Sequence, residues 1–222
     1  MSSGERSTPV TVTIAGVAVF SSLALVLGAL SQALGLNFPL VPYLQFDLGE
    51  VAIVLAFFIV GPEAGLLASL VEFGGLMVFG QQIPVGPLLK LFALTSSVGG
   101  LWVGSRVAKG MGLGRLVGSG GLAACLLRAA VMTVPNFYLI VFLYSVPAIE
   151  GFVGGSFALV GITLSGANTL WVVLVFTAVF NVLQMAFVTG ASYLVLRVGS
   201  VQTLRVGARA PWFVRAMTAA RV

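Results

Sequence analysis

The sequence has no histidine, a single cysteine and very few charged residues. Its 222 residues include 11 lysines and arginines and 6 aspartates and glutamates, and the one thiol belongs to Cys125. Without histidine the chain lacks the residue most used for zinc ligation and for general acid–base catalysis. A single cysteine cannot form an intramolecular disulfide. We therefore expect no metal site and no histidine-based enzyme.

The scarcity of charge also excludes a soluble or disordered chain. Charged residues make up 8% of the sequence and hydrophobic residues 59%, with a mean hydropathy of +1.13. Soluble domains carry about 25% charged residues, and disordered chains combine low hydrophobicity with high net charge. At about 20 apolar residues per crossing, the length predicts an all-α membrane protein that forms a single bundle without a second domain.

Charges, prolines and glycines divide the chain into six apolar spans. These are about 10–34, 51–60, 64–79, 87–104, 116–144 and 170–196, followed by a basic tail over 197–222. If the N-terminus is cytoplasmic, nine Lys and Arg residues lie on the inner side and none in the outer segments 35–49, 80–86 and 145–169. By the positive-inside rule, this predicts six transmembrane helices with both termini cytoplasmic. The net charge of +5 thus reflects membrane orientation, and nucleic acid is not an expected partner.

Six polar side chains fall inside the predicted spans, namely Glu72, Lys90, Arg128, Asn136, Asn181 and Gln184. A charge at mid-bilayer costs at least about 2.5–3.5 kcal/mol, so such residues face the bundle interior and have partners. In one interpretation they are structural: Glu72 pairs with Arg128, Lys90 extends to the interface, and the amides bond neighbouring helices. In the other, all six line one cavity in the outer half.

The two long outer segments, 35–49 and 145–169, favour a binding role for such a cavity, because long loops tend to be lids or binding elements. Tyr43 and Phe46 are candidate aromatic rim residues, and the neutral amides indicate an uncharged, hydroxyl-rich ligand. The sequence has no phosphate-binding loop, since neither lysine precedes a Ser or Thr. The chain therefore needs partners for ATP-driven work. An intramembrane enzyme using Glu72 with Glu63 or Asp47, and a purely structural membrane protein, are the alternative functions.

The stretch from Asn37 to Glu50, with its Phe-Pro-x-x-Pro-Tyr core, precedes an apolar span and then Gly-Pro-Glu-Ala-Gly over 61–65. This arrangement resembles the S components of energy-coupling-factor (ECF) transporters, the substrate-binding membrane subunits of vitamin importers. The resemblance implies a multi-pass protein in the plasma membrane of a prokaryote, with a vitamin as transported ligand and no cofactor. It also implies a transmembrane coupling subunit and two cytoplasmic ATPase subunits as partners.

Within that family the sequence is most similar to the riboflavin type, because Asn136 and Asn181 match its two asparagines. Gln45, Glu72 and Gln184 differ, since they stand where that type tends to have lysine. Riboflavin and another vitamin or small metabolite therefore both remain candidate ligands. The implied substrate-binding residues are Tyr43, Gln45, Phe46, Asp47, Glu72, Lys90, Asn136, Asn181 and Gln184. The implied docking face for the coupling subunit consists of Ala18 and Ser22, the nearest equivalent of an Ala-x-x-x-Ala motif.

Overall fold

The computed structural model describes residues 9–80, 83–206 and 209–218, and within these ranges the chain is helical, without a β-strand. A π-helical stretch, Leu139–Tyr144, extends the fifth helix. The α-helices of the described part are α1 (Val10–Ala33), α2 (Gly49–Ile59), α3 (Pro62–Phe79), α4 (Val85–Val107), α5 (Leu113–Tyr138), α6 (Val146–Ala158), α7 (Ala167–Arg197), α8 (Gly199–Thr203) and α9 (Trp212–Thr218).

Among the described residues, five helices are long and apolar enough to cross a membrane: α1, α3, α4, α5 with its π-helical extension, and α7. The predicted second span is different, because α2 has only 11 residues and rises about 16 Å, roughly half of a hydrocarbon core. The all-helical class with several candidate membrane spans is thus confirmed. Six crossings and cytoplasmic termini stay predictions, and Arg6 and Arg221 lie outside the described residues.

Helix α2 forms the centre of the bundle. Every side chain from Ala52 to Phe58 is buried, and α2 contacts α1, α3, α4, α7 and α9. A helix that is apolar on all sides is stable only when it is enclosed by protein or lipid, and here neighbouring helices enclose it. Because α2 is short, segment 34–48 enters the bundle before it and leads directly to Glu50, in the first helical turn.

The C-terminal tail packs partly on this core. The Trp212 ring lies 5.1 Å from the ring of Phe57, measured between centroids, and Phe213 is fully buried. The backbone N–H of Gly110 donates a hydrogen bond to the Ala216 carbonyl over 2.9 Å. The tail predicted over 197–222 therefore includes a short helix, α9, whose aromatic side chains contact protein; residues 207–208 and 219–222 lie outside the described residues.

The beginning of α1 and the tail lie at the same end of the bundle. A Cβ on Gly16 would come within 2.8 Å of the Val60 side chain, and one on Gly61 within 3.7 Å of the Trp212 ring. The turn between α2 and α3 thus contacts both regions. The opposite end of the bundle contains segment 34–48, helix α6 and the N-terminus of α4.

The outer segment predicted as a loop over 145–169 contains helix α6. Ile149, Val153 and Phe157 recur every four residues and are all buried, so they form one apolar face. Three glycines in the same stretch lower its helix propensity, and they obscured that spacing in the sequence. The segment is therefore a helix packed on the bundle over half its length, not a long loop.

Helices α4 and α5 pack closely through small residues. A Cβ on Gly100 would lie 2.3 Å from the Ala124 Cα, and one on Gly104 would lie 2.2 Å from the Ser119 carbonyl oxygen. Glycine at these two positions is what allows the backbones to approach. This small-residue face of α4 therefore serves packing within the chain.

We predict that Gly100→Ala destabilises the protein by about 1–3 kcal/mol, because backbone atoms block the added methyl group. The control is Gly99→Ala, one residue away, where the nearest atom is the Leu127 Cδ2 at 3.5 Å. Alanine there improves helix propensity by up to about 1 kcal/mol. Thermal unfolding in detergent, followed by tryptophan fluorescence, should show a lower Tm for Gly100→Ala only. Equal Tm values for the two variants would contradict the packing.

Candidate functional site

A cavity of about 520 Å³ lies between segment 34–48 and the helices at the end of the bundle away from the tail. This volume is in the range of small-molecule sites. Seven of the nine predicted substrate-binding residues line it: Tyr43, Gln45, Asp47, Glu72, Lys90, Asn136 and Asn181. The sequence therefore identified residues from five separate elements that the structure brings together around one space.

The other two, Phe46 and Gln184, lie beside the cavity and hold segment 34–48. The Gln184 side chain donates to the Asp47 carbonyl over 2.9 Å and accepts from the Asp47 N–H over 3.4 Å. The Phe46 ring packs on Phe180, with 5.1 Å between ring centroids. Gln184 thus fixes the backbone of a cavity residue, while Phe180 itself lines the cavity.

Segment 34–48 is also bonded to the end of α1. The Gln45 amide donates to the Ser31 carbonyl, and the Leu48 N–H donates to the Ser31 hydroxyl, both over 2.8 Å. Together with Gln184 on α7, these bonds join the segment to two helices that are far apart in the sequence. The segment is therefore an ordered wall of the cavity.

Lys90 connects this wall to α3. Its ammonium group forms ion pairs with Asp47 and with Glu72 Oε1, the latter over 2.5 Å. Glu72 is fully buried. Lys90 therefore points into the cavity and is paired on both sides, and the interpretation that it extends to the membrane interface is wrong.

Arg128 forms a second buried charge cluster. Its guanidinium group binds both carboxylate oxygens of Glu50, with 3.0 Å between Nη2 and Oε1, and its Nε donates to Asn181 Oδ1 over 2.9 Å. The predicted ion pair between Glu72 and Arg128 is therefore not present. Glu50 at the start of α2 neutralises Arg128, and Lys90 neutralises Glu72.

Glu50 is the charged cavity residue that sequence reasoning missed. It directly precedes the predicted span 51–60, yet its side chain is buried and lines the cavity. Its position in the first turn of an apolar helix was a usable signal, because a carboxylate there is stabilised by the helix dipole. The span around Arg128 contains no acid, so its partner had to come from another helix.

Two buried atoms in the cavity wall that can only accept hydrogen bonds, Glu72 Oε2 and Asn136 Oδ1, have no hydrogen-bond partner in the described part of the chain, and neither has the Tyr43 hydroxyl. Asn136 Nδ2 donates to the Met132 carbonyl over 2.7 Å, which leaves Oδ1 as the free atom. Buried polar atoms normally have partners. The unpaired acceptors are therefore where a ligand would form hydrogen bonds.

Tyr43 adds a neutral hydroxyl to the wall contributed by segment 34–48. Burial raises the pKa of Tyr43 to about 12, an effect that outweighs the neighbouring Thr177 hydroxyl, which lowers the pKa. Tyr43 is therefore protonated at physiological pH. Its ring also lies 6.4 Å from the ring of Phe152 on α6, between centroids, so α6 contributes to the aromatic lining.

The predicted docking residues Ala18 and Ser22 lie on the exposed side of α1, whereas the neighbouring Ser21 is buried. Val19 and Val26 on the same helix are also well exposed. The face that carries Ala18 and Ser22 is thus directed away from the bundle.

For metals, the described residues contain no group of three or more His, Cys, Asp or Glu side chains that could hold an ion.

Comparisons with known proteins give one informative likeness. No family model matches the sequence, and no curated protein matches it. Among solved structures, the chain is similar to the S component of a bacterial ECF transporter, with a TM-score of 0.60 and 21% sequence identity over 83% of this chain and 93% of the other. The fold expected from the sequence resemblance is therefore confirmed. At this identity the likeness concerns the fold alone.

We predict that Glu50→Gln lowers stability by about 3–5 kcal/mol, because it leaves the buried Arg128 without a counter-charge. The double variant Glu50→Gln/Arg128→Met removes both charges and should recover much of the loss. Glu63→Gln, which changes an exposed acid on α3, is the control. Thermal unfolding in detergent provides the measurement, and a double variant no more stable than Glu50→Gln would contradict the pairing.

Proposed function

We propose that this protein is the substrate-binding subunit of an ECF-type importer that takes up riboflavin or a related vitamin. The observation that carries the proposal is the cavity, which is of vitamin size and has unpaired buried acceptors at Glu72 and Asn136. The fold likeness to an S component supports the same conclusion. A transport role also agrees with the lack of a phosphate-binding loop in the sequence.

In this proposal segment 34–48 covers the ligand on the outer side of the membrane. It contributes Tyr43, Gln45 and Asp47 to the cavity wall, and side-chain bonds from α1 and α7 hold it in place. If segment 34–48 moves on ligand entry, the hydrogen bonds of Gln45 and Gln184 break. Both described chain ends then lie on the cytoplasmic side of a prokaryotic plasma membrane, as the positive-inside rule predicts.

Partner subunits supply the energy in this proposal. A transmembrane coupling subunit binds the α1 face around Ala18 and Ser22, and two cytoplasmic ATPase subunits drive release. Small side chains on an exposed face allow another helix to approach closely.

A binding role also fits the state of the carboxylates in the cavity, since Asp47, Glu50 and Glu72 are all engaged by Lys90 or Arg128.

We predict that the protein purified in detergent carries a small heteroaromatic molecule, and that Asn136→Ala weakens its binding about ten-fold or more, as expected for a lost buried hydrogen bond. Asn181→Ala should weaken binding as well, because Asn181 orients Arg128. A yellow preparation would identify a flavin. Isothermal titration of ligand-free protein measures the affinities, and unchanged affinity in Asn136→Ala would contradict the site.

We also predict that the double variant Ala18→Leu/Ser22→Leu abolishes uptake in cells that co-express the partner subunits but leaves ligand affinity unchanged. Bulky side chains there would separate the docking helices, while the cavity is not altered. Leu30→Ala, which changes an exposed residue near the other end of α1, is the control. Normal uptake by the double variant would show that the coupling subunit binds another face.

A further inference from the structure

Among the unpartnered buried polar atoms of the described cavity wall, two can only accept hydrogen bonds, and the Tyr43 hydroxyl can donate or accept. Glu72 Oε2 and Asn136 Oδ1 are unpaired acceptors. Reversing the Asn136 amide would place its oxygen against the Met132 carbonyl, 2.7 Å away, so the orientation with the oxygen toward the cavity is the favourable one. A partner for these two atoms must donate hydrogen bonds.

The amide donor of Asn181 and the cationic donors of Arg128 and Lys90 are already engaged within the protein. Asn181 donates to the Thr177 carbonyl over 2.8 Å and accepts from Arg128. Arg128 binds Glu50 on both carboxylate oxygens, and Lys90 lies between Asp47 and Glu72. A ligand rich in acceptors, such as a carboxylate or a phosphate, would meet the unpartnered Tyr43 hydroxyl and would otherwise have to displace these internal partners.

The charges of the cavity wall do not balance. Three carboxylates line it, those of Asp47, Glu50 and Glu72, against two cations, Lys90 and Arg128. The sequence-based expectation of an uncharged ligand was based on the neutral amides, but Gln184 and Asn181 bond to the protein. With all three acids ionised, the surplus is one negative charge in a largely apolar cavity wall. An uncompensated buried charge is costly, and a positively charged ligand removes that cost.

Aromatic rings complete the environment. Tyr43, Tyr144, Phe152 and Phe180 all line the cavity, and the faces of aromatic rings attract cations. The rings belong to segment 34–48, the extension of α5, α6 and α7, so they surround the cavity from several directions. The same rings provide stacking surfaces for a planar heterocycle.

We propose that the ligand is a small organic cation whose positively charged, N–H-bearing nitrogen group donates hydrogen bonds to Glu72 Oε2 and Asn136 Oδ1. This inference rests on the proposed function, since it assigns chemistry to the same cavity. It selects, among vitamins of this size, a positively charged molecule over the neutral riboflavin. The Glu72 carboxylate binds the positive charge, and the Asn136 amide oxygen fixes the orientation of the nitrogen group.

The first test identifies the molecule that co-purifies with the full chain, by mass spectrometry of the extracted ligand. We expect a molecule that is positively charged at pH 7 and carries N–H donors. A neutral or anionic molecule would overturn this inference and leave the proposed function standing. If no molecule co-purifies and no vitamin binds to the purified protein, the proposed function itself fails.

The second test uses two probes, pyridoxamine and pyridoxine. Pyridoxamine carries a protonated aminomethyl group at the position where pyridoxine carries a hydroxymethyl group. We expect pyridoxamine to bind the ligand-free protein about ten-fold or more tightly than pyridoxine, the difference expected for a hydrogen bond between charged groups. Glu72→Gln should remove this difference, and Glu63→Gln should retain it. Equal binding of the two probes, or a preference that survives Glu72→Gln, would overturn the inference.

If Glu72→Gln does not fold, Asn136→Ala serves as the second variant. Asn136 Nδ2 donates to a backbone carbonyl in the preceding turn of the same helix, so we expect the fold to tolerate the loss of this side chain. We expect it to weaken pyridoxamine binding more than pyridoxine binding. An equal loss for both probes would show that Asn136 does not contact the charged group.

Discussion

The ammonium group of Lys90, on α4, contacts Asp47 from segment 34–48 and Glu72 from α3. In the low-dielectric interior of a membrane protein these three charges are stable only together, because each alone would carry a large desolvation cost. The contact therefore fixes the relative positions of three elements separated in the sequence. The pairing of Arg128 with Glu50 does the same for α5 and α2. The cavity lies between these two charge clusters, and its shape depends on both.

The two ends of the bundle have different physical roles. Near the tail, the interior is apolar and closely packed, with Phe57 against Trp212 and glycine contacts between α4 and α5. Near the cavity, a second apolar cluster that includes Phe38, Val41 and Phe180 packs beside the polar contacts, and segment 34–48 is held by this cluster and by hydrogen bonds from α1 and α7. The end near the tail thus contributes an apolar core, and the cavity end combines apolar packing with the charged and amide groups of the cavity wall.

Sequence reasoning succeeded where a single physical rule dominated. The scarcity of charge predicted the helical membrane class, and the burial cost of polar groups selected five residues that line the cavity, namely Glu72, Lys90, Arg128, Asn136 and Asn181. It failed where partners had to be assigned among helices. Glu72 and Arg128 were paired because both are deep, but Glu50 and Lys90 are their partners. Depth along a span does not reveal which neighbouring helix a side chain faces. Helix α6 was missed for another reason, because its glycines mask the apolar face in the sequence.

The central claim is that the cavity beneath segment 34–48 holds the ligand through Glu72 and Asn136. An experimental structure of the purified protein with its co-purified molecule tests this most directly. The account predicts ligand density in the cavity, with nitrogen atoms within about 3.2 Å of Glu72 Oε2 and Asn136 Oδ1. Ligand density at another place, or a ligand that contacts neither atom, would contradict it.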